Sequence, residues 1–183
     1  VPGAFERTVT VSSAGKTFSL TGWKVGWATG PAPLITAVRT VKQFLSYSSG
    51  PAFQPAVAAG LALPPSFFAE RAASLAARAT LLAGGLRDAG ATVFEPQGGY
   101  FVVADLSPLG ITDATALSRI LPDEVGVVGI PVGVFATPEH EGSYSSMIRF
   151  AHCKTESTIS EATLRLREGL PRLAARNSTG SGA

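Results

Sequence analysis

A fifteen-residue segment near the beginning of the chain, residues 13–27, constrains the fold most. It reads SAGKTFSLTGWKVGW. Lys16 lies among small residues after an alternating apolar run, and Lys24 lies eight positions later between Gly22 and Gly26. Small neighbours let the backbone approach a flat ligand, and a hydroxyl, a cation and free backbone amides suit a phosphate. By themselves these residues are compatible with a solvated loop lysine followed by a turn and strand with two aromatics, and equally with a lysine beside a phosphate-binding turn.

This segment resembles the cofactor-lysine segment of fold-type I pyridoxal 5'-phosphate (PLP) aminotransferases. The resemblance implies that Lys16 carries PLP and moves protons, while Ser13 and Lys24 contact the cofactor phosphate. An amine that attacks an aldehyde must be neutral part of the time, and we expect partial burial near other cations to favour that form. Lysine at position 24 is typical of the branch that contains actinobacterial N-succinyldiaminopimelate aminotransferases and kynurenine, glutamine and methionine aminotransferases.

Arg149 is a candidate substrate-binding residue. It is the single arginine of the otherwise apolar segment 147–151. A buried guanidinium needs a carboxylate or several acceptors, and its planar fork matches a substrate carboxylate. A structural ion pair is the alternative. The family that the chain resembles has such an arginine on a late strand, which implies that Arg149 binds the substrate α-carboxylate.

Two tyrosines are weaker candidates for substrate contacts. Tyr100, in the run Gly-Gly-Tyr-Phe at 98–101, resembles an element that lines the substrate side in the family, and core packing is the equal alternative. Tyr47 precedes a break of small residues at 48–50. It matches an aromatic that reaches the neighbouring subunit's site in relatives, and an exposed loop tyrosine is the alternative.

The hydrophobic pattern predicts strands and helices that alternate along the chain. Strands are expected at 8–12, 25–28, 92–94, 100–104, 125–130 and 147–152. Helices are expected from Pro31, at 53–63, over 66–90, at 113–121 with Thr112 or Asp113 as cap, and after a Thr158–Glu161 capping box. We expect the first of them to turn one face inward, formed by Leu34, Val38, Val41 and Leu45. Pro171 should kink or end the last helix.

The elements and the resemblance together predict an α/β protein. Residues 1–65 are expected to be the C-terminal part of the large PLP-binding domain, with a mixed sheet and helices. Residues 66–90 form a linking helix, 91–176 a small α+β domain, and 177–183 a disordered tail. The resemblance implies that the phosphate-binding loop, the ring-stacking aromatic and the residues that hydrogen-bond the ring lie upstream. We therefore expect this chain to be inactive alone.

Composition excludes several classes of function. The net charge of +2 comes from scattered residues, so nucleic acid is not expected as a partner, and no apolar run approaches the length of a membrane span. A cytoplasmic protein is the expectation. Cys153, His140 and His152 lack a metal-site spacing, so no metal is expected, and Cys153 should pack as a small hydrophobe. The resemblance implies a homodimer that acts on small amino and keto acids.

Three functions remain open from the sequence. The first is an aminotransferase that moves an amino group between an amino acid such as glutamate and a keto acid. Its nearest type is N-succinyl-LL-diaminopimelate aminotransferase, which serves lysine biosynthesis, and a kynurenine, glutamine or methionine aminotransferase with cysteine-conjugate β-lyase side activity is the alternative. The second is the effector domain of an aminotransferase-like transcription regulator, and the third is a non-catalytic remnant.

Overall fold

A computed structural model describes residues 1–48 and 50–179, and the chain divides into two units, Val1–Phe67 and Phe68–Ala183. The first unit contains a two-stranded antiparallel sheet and short helices. Its elements are β1 (Thr10–Ser13), α1 (Ala14–Thr17), β2 (Gly26–Thr29), α2 (Ala32–Leu45) and α3 (Gln54–Leu61). Both predicted strands are present, each displaced by one or two residues, as is usual at element ends.

Strands β1 and β2 approach each other so closely that position 26 requires glycine. Ser13 lies opposite Gly26 in the register. A Cβ atom at position 26 would lie 2.6 Å from the carbonyl oxygen of Ser12, which is far inside van der Waals contact. The glycine between Val25 and Trp27 therefore permits the pairing that brings the two ends of the 13–27 segment together.

The predicted inward face of α2 is exposed in this unit, which corrects the expectation drawn from its periodicity. Leu34 is partly buried, but Val38, Val41 and Leu45 are 42%, 57% and 81% exposed. The spacing does describe an amphipathic helix. Within residues 1–48 and 50–67, however, no element covers the apolar face, and the buried hydrophobic residues there are Ala14 and Val57.

The second unit is a four-stranded antiparallel sheet with helices, in the strand order β3-β4-β6-β5. A long helix, α4, begins just before this unit and continues into it. The elements are α4 (Pro65–Asp88), β3 (Thr92–Phe94), β4 (Phe101–Asp105), α5 (Ala114–Glu124), β5 (Ile130–Pro131), β6 (Met147–Ala151) and α6 (Glu156–Thr179). Asp113 caps α5, because its side chain accepts a hydrogen bond from the backbone N–H of Ala116 at 2.8 Å.

One face of this sheet packs against the helices and forms the core. Alternate strand residues are buried, as period-two patterning requires. The fully buried members include Val102, Ala104, Ile148 and Phe150 from the sheet and Leu82, Leu86, Leu166 and Leu170 from the helices. Each such large apolar side chain contributes roughly 1.5–3 kcal/mol relative to leaving it exposed. The remaining strand residues, Arg149 among them, lie on the opposite face of the sheet.

Two elements of the second unit differ from the sequence predictions. The predicted strand 125–130 is reduced to Ile130–Pro131, because Val125 ends α5 and Gly126 turns the chain with φ of +72°. Pro131 belongs to this short strand, which an edge strand allows. Between this strand and β6 there is a short 3-10 helix, Glu141–Tyr144, where no element was predicted.

The last helix begins earlier and continues further than predicted. Thr155 is its cap, since its hydroxyl oxygen accepts from the backbone N–H of Thr158 at 3.3 Å, so Thr158 lies inside the first turn. Pro171 lies inside the helix and does not end it. Residues 177–179 of the predicted tail continue α6, and residues 180–183 lie outside the described residues, as does Ser49.

Two further observations concern surface properties. Cys153 is exposed, which corrects the expectation that it packs as a small hydrophobe. None of the helices that the structure describes combines the length and the apolar character needed to cross a bilayer.

Candidate functional site

The cofactor-lysine candidate lies on the short helix that follows β1. Ser13 caps this helix, because its Oγ accepts a hydrogen bond from the backbone N–H of Gly15 at 3.2 Å. Lys16 lies in the last turn of the helix. The backbone N–H of Leu20 donates to the carbonyl of Gly15 at 2.8 Å, which folds the chain back after the lysine. Lys16 is therefore positioned by backbone and capping hydrogen bonds.

Lys24 lies two residues before the returning strand β2. It has left-handed backbone angles, φ 54° and ψ 40°. The next residue, Val25, accepts a hydrogen bond through its carbonyl from the backbone N–H of Ala14 at 3.0 Å. Since Ser13 lies opposite Gly26, the hairpin brings Ser13, Lys16 and Lys24 to one end of the two-stranded sheet.

This end of the hairpin has some of the groups that a PLP site needs. Lys16 supplies an amine and Lys24 a cation. The Oγ atom of Ser13 accepts from Gly15, so its own hydroxyl proton can be donated to a phosphate oxygen. A Cβ atom at position 15 would lie 3.3 Å from the Cα of Thr21, so glycine keeps the backbone compact there. The donor set and the glycine-lined backbone fit the cofactor.

The expected burial of Lys16 is not found. Lys16 is exposed, although Ala14 and Gly15 beside it are buried. The residues of this chain therefore fix the backbone of the lysine without enclosing its amine. This is a correction to the prediction that partial burial accompanies the reactive lysine.

Arg149 lies on β6, and this strand coincides with the apolar segment 147–151. Its guanidinium carbon is 4.2 Å from the ring centroid of Phe101 and 4.2 Å from that of Phe135. Such contacts each contribute roughly 0.5–2 kcal/mol and fix the plane of the guanidinium. The Nε atom is buried and has no hydrogen-bond partner among the described residues.

Arg149 also lines a cavity of about 740 Å³ within the second unit. Phe101 and Ile130 form part of its apolar wall, and Lys154 and Arg165 add positive charge. The described ion pairs do not include Arg149, whereas Arg165 is paired with Glu161 at 2.8 Å. The structural ion pair considered for Arg149 is therefore not found in the described part of the chain, and the cavity suits an anion.

The two tyrosine candidates differ in their surroundings. Tyr100 is partly buried, with its ring centroid 5.1 Å from that of Phe101. Tyr47 is 80% exposed with φ of +52°, and its carbonyl accepts a hydrogen bond from Lys42 Nζ at 2.8 Å. The predicted site residues thus form two groups. Ser13, Lys16, Lys24 and Tyr47 belong to the first unit, and Tyr100 and Arg149 to the second.

Sequence reasoning did not single out the two aromatic partners of Arg149. Phe101 pairs with Ala151 in the register, two residues from Arg149 on the same face, so the strand pairing would have indicated it. Phe135 lies in a 3-10 turn with no periodic signal. Among the described residues, no three histidine, cysteine, aspartate or glutamate side chains come together as a metal site requires.

Comparison with known proteins shows the family of the chain. The chain matches the family model described as aminotransferase class I and II over residues 3–166. The probable N-succinyldiaminopimelate aminotransferase DapC of Mycobacterium tuberculosis is 45% identical over 170 residues, covering 90% of this chain and 43% of that protein. The kynurenine–oxoglutarate transaminase of Dictyostelium discoideum is 35% identical over 180 residues, covering 88% of this chain and 41% of that protein.

A solved structure gives the same result for the fold. The N-succinyldiaminopimelate aminotransferase structure from Mycobacterium tuberculosis superposes with a TM-score of 0.85 at 46% identity. The superposition covers 91% of this chain and 43% of the Mycobacterium tuberculosis chain. This similarity confirms the predicted α/β fold. The present chain spans less than half the length of the curated relatives that it matches.

Proposed function

The chain belongs to the class I and II aminotransferase family, and on that premise we propose that it supplies the cofactor lysine and the carboxylate anchor of a PLP-dependent aminotransferase. One observation carries the proposal. The hairpin brings a capped lysine helix, a serine hydroxyl and a second lysine to one end, in the order and spacing of the family's cofactor segment.

Bound PLP supplies an electron sink that lets the Cα–H bond of an amino acid be broken. The residues of this chain hold and serve that chemistry. Ser13 would donate its hydroxyl proton to a phosphate oxygen, and Lys24 would balance the phosphate charge. Nζ of Lys16 would hold the cofactor, and its amine would accept a proton from the substrate Cα and return it.

Arg149 is proposed to bind the α-carboxylate of both the amino donor and the keto acceptor. Support comes from its unpartnered Nε and from the rings of Phe101 and Phe135, which hold the guanidinium plane. A fixed planar fork pays little entropy to accept two carboxylate oxygens. Tyr100 is proposed to line the substrate side through its contact with Phe101.

The substrate is proposed to be of the N-succinyl-LL-diaminopimelate type, with glutamate as amino donor, in lysine biosynthesis. The support is the 45% identity to a relative with that name. A kynurenine–oxoglutarate transaminase activity is the second candidate, supported by the 35% identity to a relative so named. Two transamination assays would distinguish the candidates. One uses glutamate with the keto acid of the N-succinyldiaminopimelate type, and the other uses kynurenine with oxoglutarate.

The proposed assembly is a homodimer in which Tyr47 reaches the partner's site. The exposure of Tyr47 and the uncovered apolar face of α2 support this proposal. We also propose that residues 1–65 belong to the large domain, that 66–90 link the domains, and that 91–176 form the small domain. The cytoplasmic location stays a prediction.

The function is tested by replacing Lys16 in the complete protein. Lys16→Ala should abolish both turnover and the visible absorbance of lysine-bound PLP, because Lys24, the other amine of the segment, is proposed to bind the cofactor phosphate. The matched control is Arg39→Ala, which removes an exposed cation from α2 and should leave both signals. Transamination by Lys16→Ala at the unmodified rate would contradict the assignment.

A further inference from the structure

Lys24, which is proposed to balance the phosphate charge, has a backbone conformation that a lysine rarely adopts. Its φ of 54° and ψ of 40° lie in the left-handed region. A residue with a Cβ atom is strained there and keeps this conformation only where its surroundings hold it. Lys24 is exposed, whereas Trp23 and Val25 on either side of it are partly buried. The packing that holds this conformation therefore acts through Trp23 and Val25.

The ring of Trp23 stacks on the ring of Phe53. The two ring centroids are 4.6 Å apart, and the ring planes differ by 19°. This separation lies within the range of roughly 4.5–7 Å at which aromatic pairs stabilise a structure beyond the area that they bury. The backbone of Phe53 is itself held, because its N–H donates to the carbonyl of Gly50 at 2.9 Å and its carbonyl accepts from the N–H of Val57 at 3.0 Å. Phe53 therefore gives Trp23 a fixed surface to pack against.

The other neighbour of Lys24 lies beside the same loop. Gly50 has φ of +53°, a conformation that glycine adopts without strain. A Cβ atom added at Gly50 would lie 3.4 Å from Cδ2 of Phe53. The same atom would lie 3.6 Å from Cγ2 of Val25 and 3.7 Å from the carbonyl oxygen of Trp23. The turn at Gly50 and the ring of Phe53 therefore lie against the residues on both sides of Lys24.

We propose that Phe53 is a positioning residue for Lys24. By stacking on Trp23, its ring holds the strained turn from which the lysine amine reaches the cofactor phosphate. This inference rests on the proposed contact between Lys24 and the phosphate. A cation on a backbone that is already fixed loses little freedom when it meets its anion. Loss of the stack should therefore weaken the binding of the phosphate group and leave the binding of the pyridine ring unchanged.

The test compares PLP with pyridoxal, which lacks the phosphate, by equilibrium binding to the complete protein freed of cofactor. The ratio of the two dissociation constants isolates the contribution of the phosphate. Lys24→Met should lower the preference for PLP by about tenfold or more, as loss of a charged hydrogen bond does. Phe53→Leu keeps an apolar side chain without the flat ring and should lower the preference by about threefold. Phe53→Tyr keeps the ring and should retain the unmodified ratio.

A double variant shows whether the ring acts through the lysine. Lys24→Met combined with Phe53→Leu should have the same ratio as Lys24→Met alone, because residues that act as a unit are not additive. The matched control is Phe94→Leu, since Phe53 and Phe94 are 40% and 48% exposed and Phe94 lies on β3 of the second unit. This control should leave the ratio unchanged.

Three results would overturn the proposal: an unchanged ratio in Phe53→Leu, an equal loss of PLP and pyridoxal affinity, or a further loss in the double variant. A general loss of stability lowers both affinities and not their ratio, so it is not mistaken for positioning. An unchanged ratio in Lys24→Met would instead contradict the proposed phosphate role of Lys24, and this inference with it.

Discussion

Replacing His152 by phenylalanine should stabilise the second unit, and more so at acidic pH. The imidazole is buried, and neither of its nitrogens has a hydrogen-bond partner among residues 1–48 and 50–179. A phenyl ring fills a similar space without polar atoms, and replacing an unsatisfied polar group by an apolar one of similar shape is neutral or stabilising. At pH 8, where histidine is neutral in both states, we expect a gain of about 1 kcal/mol in the free energy of unfolding.

The pH dependence follows from the lowered pKa of His152. Burial is the first cause and the charge of Arg78 the second, and both disfavour the imidazolium. Below the unfolded-state pKa of about 6.5 the unfolded chain binds a proton that the folded chain does not. The histidine chain therefore loses stability as the pH falls below about 6.5, by at most about 1.4 kcal/mol per pH unit. His152→Phe removes that loss.

The assay is urea unfolding followed by far-UV circular dichroism at several pH values between 8 and 5. The matched control is His140→Gln, since His140 is the other histidine and is exposed. The unmodified chain and His140→Gln should show the same decline toward acid, and His152→Phe a shallower one. If the unfolding free energies of the unmodified chain and of His152→Phe ran parallel across this range, the reasoning about the buried imidazole would be refuted.

Three further predictions concern the anchor, the core and the chain as a whole. Arg149→Lys in the complete protein should weaken donor and acceptor alike by about 1.5–3 kcal/mol, measured as KM, and an effect on one substrate alone would contradict a shared anchor. Gly85→Ala would place a Cβ against Cγ2 of Thr163, far inside van der Waals contact, and should lower the free energy of unfolding in urea by about 1–3 kcal/mol. Adding Thr163→Ser should restore part of it, and no restoration would exclude this clash as the cause. The 183-residue chain alone should show no transamination with glutamate and a panel of keto acids, and turnover comparable to that of a relative would contradict this.

The sequence predicts best the elements whose pattern is local. The strand at 92–94 has the predicted bounds, and β6 ends one residue earlier than predicted. Alternation within an apolar strand needs no knowledge of its neighbours. The run 125–130 is equally apolar, yet it forms little strand. Gly126 turns the chain, and Gly129 lies against Ile148, where an added Cβ would be 2.5 Å from Cδ1. Those constraints come from packing.

The candidate site residues also differ in how local their sequence pattern is. The 13–27 segment is contiguous, so its serine, its two lysines and its glycines could be recognised by their resemblance to the family's cofactor segment, and their roles stay predictions. The ring of Phe135 above Arg149 and the arginine beside His152 join residues far apart in the chain. No periodicity connects such residues, because only the tertiary fold brings them into contact. An isolated histidine or phenylalanine in a sequence carries no sign of its partner.

The two groups of site residues are held by different forces, and this has a consequence for function. Arg149 belongs to a sheet whose other face contributes to the hydrophobic core, so its position is fixed by apolar burial. Lys16 is held by a few backbone hydrogen bonds in a unit whose described residues bury little apolar surface. Each net hydrogen bond contributes only about 0.5–1.5 kcal/mol. The lysine segment therefore depends on whatever covers the apolar face of α2, more than Arg149 does. We expect backbone hydrogen exchange to be faster at Leu20 than at Phe150.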